Sequence, residues 1–376
     1  MGFTSLTDEL RAEAEKQGRS LASAEYRGAT TVAPFGDLQE EFSALLNGCG
    51  VCDLGFRARI SITGSDRVRW LNGMVSNNIR DLAVGRGVYA FLLNPQGRIL
   101  GDMYAFNSRE ALIVETDRNQ MEKMLATFDH YIIMDDVELA DISEKQVAIG
   151  VTGPKSRASL RSAGIEVPEM QALQMATPTC SCDCDCLECS VVRGEDGVSE
   201  SYEIWVKPED AHKTWKALIV AGAVPVGSEA LERLRIAMGI PLYGVDIRDR
   251  DLPQETEQMR ALNFNKGCYI GQEIVERIRS RGNVHRKFAG FLAEAGAAIS
   301  AGAKIVVDEK EVGEITSVAG LWTPLGERTV ALGYVRREIG VPGREVKIGE
   351  ATANVVQMPL DLGTLKQTDE AVLHRV

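Results

Sequence analysis

The texture of the sequence changes near Arg286, and that change constrains the fold more than any other feature. Before it, stretches of helical periodicity alternate with short apolar strands. After it glycine becomes frequent and strand-like runs are short: 304–307, 314–318, 330–335 and 353–356, separated by turns such as Asp308-Glu309-Lys310. The first texture reads as α+β, the second as a small all-β barrel or sandwich. At roughly 100–200 residues per domain, 376 residues suit two or three domains. With 44% hydrophobic residues, a core can be built and intrinsic disorder is excluded.

Within the first part, 5–18 has the pattern of an amphipathic helix, with Ser5 and Asp8 as a capping-box-like start and Gly18 as a stop. Residues 35–46 are helical in period again. Ile60 and Ile62 alternate with Arg59 and Ser61 as in a strand, and Asp66 can cap a following helix. Strand-like runs at 89–93 and 99–106 flank Asn94-Pro95-Gln96-Gly97, which is a hairpin signal. With a strand at 111–115 and a helix at 119–128, residues 58–140 form an α+β unit with an antiparallel sheet. A second α+β unit follows from 146–151, 201–206, a helix opened by Pro208 and another opened by Ser228.

The 54 acidic residues exceed the 42 basic ones, giving a net charge of −12, which argues against a dedicated duplex-binding protein. No apolar run is long enough for a membrane span, and the acidic amino terminus lacks the pattern of an export signal. The chain therefore reads as cytoplasmic, with its eight cysteines reduced. Five of them crowd into 180–189, and Cys49 and Cys52 form a CxxC. Thiolates suit zinc or iron–sulfur clusters, but the run lacks the paired spacing of a closed zinc site, so no metal site is expected.

The segment Asn265-Lys266-Gly267-Cys268-Tyr269-Ile270-Gly271-Gln272-Glu273 carries the most chemistry. Cys268 stands ahead of an expected helix with Lys266 nearby, and both influences favour a thiolate. A structural cysteine in a tight loop is the competing reading, and local chemistry leaves both open. Between 277 and 287 lie five Lys or Arg and no acid. The patch could hold an anionic ligand through Arg277 and its neighbours, or be a solvated face. Asp102 ends a hairpin strand, and Glu203 lies between Tyr202 and Ile204 on a strand. A carboxylate facing inward needs a partner, and it can accept two parallel N–H bonds from an aminopyrimidine edge.

Residues 266–277 (KGCYIGQEIVER) resemble the signature of YgfZ-type folate-binding proteins, relatives of the glycine-cleavage T-protein, an aminomethyltransferase. The resemblance spans most of the chain. It includes the segment from Trp70 to Asn77 and Asn78, the Tyr89-to-Asp102 hairpin, the segment from Leu231 to Gly244, and Pro253-Gln254-Glu255. It implies an α+β fold arranged as a three-unit cloverleaf. Two interleaved α+β folate-binding units occupy 1–285, the inner one about 58–140, and a C-terminal β-barrel occupies 286–376. It implies tetrahydrofolate as the ligand, with Tyr89, Asn77, Asp102, Glu203, Arg235 and Arg277 around it. Asp102 would lie at the reactive centre, Glu203 would read the pterin and Arg235 would hold the folate tail.

The family's adjacent acids are here Gly101 and Asp102, and the acid of its LR-x-E segment is Ala237. The leading expectation is thus a folate-binding accessory protein supporting iron–sulfur cluster assembly or repair, with consequences for tRNA modification. Cys268, Lys266 and Asp102 would be its working residues, and iron–sulfur client proteins its partners. The alternative is a folate-dependent aminomethyltransferase, in which Asp102 stabilises positive charge developing at a folate nitrogen.

Overall fold

The computed structural model describes residues 4–180, 189–195, 200–282, 284–324 and 326–362. The chain divides into two compact units. One is Met1–Glu232 with Pro241–Lys287; the other is Arg233–Ile240 with Phe288–Val376. The second unit thus takes a piece of the chain from well before the change of texture.

The first unit holds two main sheets. A five-stranded antiparallel sheet runs in the order Gly87–Leu93, Ile99–Asn107, Leu112–Asp117, Arg57–Thr63, Glu138–Asp141. A six-stranded sheet runs Met175–Ala176, Ser190–Arg193, Ser201–Val206, Val147–Thr152, Gly50–Asp53, Val224–Pro225. Gly50–Asp53 precedes the whole five-stranded sheet in sequence yet lies in the six-stranded one, so the two α+β halves are interleaved.

Each sheet buries one face under helices. Ile60, Ile62, Ala90, Leu92, Met103, Ala105, Leu112 and Val114 pack with Trp70, Leu71, Met121 and Phe128 from helices Arg67–Met74 and Arg118–His130. The six-stranded sheet packs Val51, Ile149, Val191 and Ile204 against helices Ser5–Lys16, Ser156–Ser162 and Pro208–Val220. Helix Ser5–Lys16 opens one residue earlier than the sequence suggested. Thr4 is its N-cap, its hydroxyl accepting from the Thr7 N–H at 3.0 Å, and Leu6, Leu10 and Ala14 line its buried face.

The face of the five-stranded sheet turned away from its helices is also covered. Phe106 meets Ala148, Val192 and Trp205 of the six-stranded sheet. Tyr89, Phe91 and Leu93 pack on Tyr243, Ile247, Ala261, Leu262, Tyr269 and Val275. Between these two apolar seams lies a band of charged and polar side chains.

In the second unit a closed six-stranded barrel runs Arg286–Glu294, Gly326–Arg336, Lys310–Thr323, Lys304–Val307, Glu345–Ile348, Ala351–Val356 and back to the first strand. Its core includes Phe291, Ile305, Ile315, Val335, Val346 and Val355. Two of these strands, Arg286–Glu294 and Glu345–Ile348, had no counterpart in the sequence reading. Lys310–Thr323 extends far beyond 314–318, with a register shift between Ile315 and Ser317 that bends it. The tight turn at Asp308 and Glu309 puts both residues at positive φ, as a two-residue hairpin loop requires.

Candidate functional site

The polar band is built by strand register. Asp102 is paired with Phe91, Tyr89 with Tyr104, Tyr104 with Glu115, Arg59 with Glu115 and Arg57 with Asp117. These side chains share one face of the sheet. On the facing sheet, strand Ser201–Val206 contributes Glu203 and Trp205.

Asp102 is fixed from two sides. Its Oδ2 accepts the Tyr89 hydroxyl at 2.6 Å and its Oδ1 accepts the Gln120 amide at 2.8 Å. Gln120 also accepts the backbone N–H of Asp102 through Oε1, at 3.0 Å. Burial, and then the nearby Asp117 carboxylate, push the Asp102 carboxyl above its ordinary range, against the two hydrogen bonds. A Cβ at Gly101 would come within 3.1 Å of Gln120 Oε1 and 3.3 Å of the Met124 methyl. A side chain at that position would require Gln120, whose amide holds Asp102, to give by a few tenths of an ångström.

Glu203 accepts the Trp205 indole N–H at 3.1 Å and lies 3.9 Å from an Arg59 guanidinium nitrogen. Burial, reinforced by Glu115, raises its carboxyl to about 7. Burial pushes Glu115 upward as well, but Arg57 and Arg59 outweigh it and hold Glu115 below the ordinary range. The Glu115–Glu203 pair thus carries one negative charge on Glu115 and a readily titrated proton on Glu203. Arg59 stacks over Trp205 at 4.2 Å and is 1% exposed.

Tyr104 sits among these groups. Its ring lies 5.1 Å from that of Tyr89 and under the Arg57 guanidinium at 5.4 Å, and its hydroxyl donates to Glu195 at 2.9 Å. Arg260 covers the Tyr89 ring at 4.3 Å and pairs with Glu195. The result is a half-buried polar band in which Asp102, Tyr104 and Glu203 are partly exposed, with a fixed carboxyl at Asp102 and a titratable acceptor at Glu203.

Residues 3–266 match the GCVT N-terminal domain, and residues 286–361 match the glycine cleavage T-protein C-terminal barrel domain. The chain belongs to the glycine cleavage T-protein family. Among its relatives, an aminomethyltransferase from Rippkaea orientalis is 27% identical over 86% of this chain and 88% of its own length. One from Rubrobacter xylanophilus is 27% identical over 92% and 91%. A chloroplastic protein of Arabidopsis thaliana, named provisionally as a transferase, is 27% identical over 86% and 74%. The glycine cleavage system aminomethyltransferase T of Bartonella henselae shares the fold at a TM-score of 0.83, with 20% identity over 96% of this chain and 97% of that one.

The other residues singled out from the T-protein-family resemblance take varied positions. Asn77 bridges two main chains, its amide donating to Tyr89 O at 2.8 Å and Arg260 O at 2.9 Å. Lys266 donates to the carbonyls of Asn72, Val75 and Asn77, each at 2.6 Å. Burial, and then the Arg80 guanidinium, pull its amine down to about 7, while the three carbonyl dipoles favour the charged form. Cys268 is exposed. The helix following it, Gln272–Arg281, is capped by Gly271, so Cys268 stands three residues before the cap rather than directly at the helix start. Gly271 has φ of 81°, and a Cβ there would come within 2.5 Å of Asn94 O; the motif's second glycine lets the loop close on the hairpin turn.

Arg277 is exposed on that helix. Much of the basic run is locally neutralised: Arg286 pairs with Asp251 at 2.6 Å and Glu255 at 2.9 Å, Lys287 faces Glu257, and Arg279 faces Glu276. Arg235 belongs to the second unit, where it is buried and donates to Ile240 O and Ser317 Oγ. Cys49 and Cys52 are buried, and burial pushes both thiols up. Residues 181–188, with most of the cysteine run, lie outside the described residues. Among the described residues no cluster of His, Cys, Asp and Glu is placed to hold a metal, and no helix is long and apolar enough to cross a membrane.

Sequence reasoning missed Arg57, Arg59, Tyr104, Glu115, Gln120 and Arg260. The signal available was the alternation of 57–63, in which Arg57 and Arg59 pattern as solvent-facing. Here the outward face of one sheet meets another sheet, and the polar half of the alternation is buried.

Proposed function

We propose that this polar band binds a reduced folate and that the chain is a tetrahydrofolate-dependent one-carbon transferase of the aminomethyltransferase type. The observation that carries the reading is the fixed, partly exposed carboxyl of Asp102 in the same polar band as the partly exposed acceptor Glu203, with Tyr104 close to both. A pterin edge offers paired N–H donors, which is what a half-buried glutamate with one neutral donor calls for. The partly exposed ring of Tyr104 suits a planar ligand. The residues present therefore fit the group.

Tetrahydrofolate supplies, when bound, the nitrogen that takes up the one-carbon unit. Glu203 would orient the pterin. Asp102, restrained by Tyr89 and Gln120, would set negative charge against positive charge developing beside it, without reorganising to do so. The aminomethyltransferase relatives support this reading.

A second reading, the accessory protein of iron–sulfur assembly acting on client proteins, is favoured by one observation. Lys266, Gly271 and Gln272 each have a packing or hydrogen-bonding task, whereas Cys268 is exposed. One experiment separates the two: loading of tetrahydrofolate from an aminomethyl donor by the wild type, Asp102→Asn and Cys268→Ser. The transferase reading expects turnover that falls in Asp102→Asn and persists in Cys268→Ser. Absence of turnover in the wild type would sink it.

A further inference from the structure

We propose that Lys266 is a positioning residue: a built-in cation that clamps the 72–77 turn and, through Asn77, fixes Tyr89 and Arg260 about Asp102. The clamp itself stands on geometry alone; only its ligand-binding readout rests on the folate reading above.

Helix Arg67–Met74 ends with main-chain carbonyls that have no helical partner. Gly73 O accepts the Ile270 N–H at 3.1 Å. Asn72 O, and beyond the helix Val75 O and Asn77 O, converge on one point, and the Lys266 ammonium fills it with three hydrogen bonds of 2.6 Å. An ammonium has three protons for three acceptors, and the Tyr269 ring lies 4.9 Å from it. A planar guanidinium cannot aim three donors at such a point.

The turn so held is a hub. The Ser76 hydroxyl donates to Ala261 O at 2.6 Å and accepts the Phe91 N–H at 2.9 Å, and Ser76 O accepts the Asn263 N–H at 3.0 Å. Asn77 carries the link onward. Its carbonyl is bound by Lys266, and its amide ties strand Gly87–Leu93 to the backbone of Arg260. Tyr89 then reaches Asp102, and the Arg260 guanidinium covers Tyr89. Lys266 acts on the site through these residues and touches none of the proposed reacting groups.

The test is chemical rescue. Lys266→Ala removes the ammonium and its three-carbon stem, which n-propylammonium restores; tetramethylammonium at equal ionic strength offers no donors. Amide hydrogen exchange at Phe91 and Asn263, and the dissociation constant of tetrahydrofolate, are read for wild type, Lys266→Ala, Lys266→Arg and Asn77→Ala. Both Lys266 variants should exchange faster at the two amides and lose about tenfold or more in affinity, as misplacement of a site residue does. Propylammonium should restore Lys266→Ala alone, and tetramethylammonium none. Asn77→Ala should lose affinity without responding to either cation.

Unchanged exchange at Phe91 and Asn263 in Lys266→Ala, or equal rescue by both cations, overturns the clamp. Should Lys266→Ala fail to fold, Lys266→Arg and Asn77→Ala decide: wild-type exchange at those amides in both overturns it. A wild type that binds no tetrahydrofolate, yet shows the exchange and rescue pattern, contradicts the folate reading and leaves the clamp standing.

Discussion

The Tyr89 hydroxyl reaches Asp102 Oδ2 at 2.6 Å along a diagonal of the hairpin, because Tyr89 is registered against Tyr104 and Asp102 against Phe91. An aromatic side chain is long enough to span that diagonal on the shared face of two strands. The contact orients the carboxyl that Gln120 also holds.

Tyr89→Phe should therefore weaken catalysis without unfolding the protein. A hydrogen bond to a charged group is worth about 1.5–3 kcal/mol, so turnover should fall by about one to two orders of magnitude. The Asp102 carboxyl should move still higher, since the lost bond favours its ionised form. Asp102→Asn should lose about 10²–10³ in turnover, as removal of an electrostatic stabiliser does. Steady-state rates with far-ultraviolet circular dichroism as a folding control decide both.

Glu203 gives a pH dependence of defined sign. Its carboxyl moves from 4.5 to about 7 on folding. A raised acid favours folding most below its unfolded value, so this contribution is lost as pH rises from about 4.5 through 7. Folate donors prefer the carboxylate, so affinity should rise over the same window. Titrations at pH 5.5, 7 and 8.5 (about one and a half units to either side of the midpoint) should show that rise, and Glu203→Gln should flatten it. A falling affinity would contradict the assignment.

Arg59 and Glu115 are each 1% exposed and 2.8 Å apart. Replacing either alone, as Arg59→Met or Glu115→Gln, should cost about 3–5 kcal/mol by leaving a buried charge uncompensated. The double variant Arg59→Met with Glu115→Gln should cost less than the sum. Urea unfolding of the cycle measures the difference, and strict additivity would refute the coupling.

Gly271→Ala should destabilise by about 1–3 kcal/mol, because its positive φ and the Asn94 carbonyl 2.5 Å from the added Cβ both resist the change. Gly282→Ala has extended backbone and open space, so about ±0.5 kcal/mol is expected. Equal melting temperatures for the two variants would remove the structural role assigned to the motif's second glycine.

The hairpin around Asn94-Pro95-Gln96-Gly97 was legible because turn chemistry is local, and the change to barrel texture was legible because glycine and short strands are compositional. The buried polar band was not. Arg57 and Arg59 alternate with Ala58 and Ile60 as they would on a solvated strand, and only tertiary packing buries both faces. Lys266 resisted reading for a different reason. Its partners are main-chain carbonyls of Asn72, Val75 and Asn77, which no side-chain pattern encodes. The grouping of Arg233–Ile240 with the barrel unit depends on contacts distant in sequence, to which periodicity is blind.

Whether Glu203 holds a reduced folate is decided by calorimetric titration of tetrahydrofolate into the wild type and Glu203→Ala. Saturable binding of one ligand per chain is expected, weakened in the variant by about 1–3 kcal/mol, or about 5- to 150-fold. Absence of binding to the wild type, or one dissociation constant shared by both proteins, would contradict it.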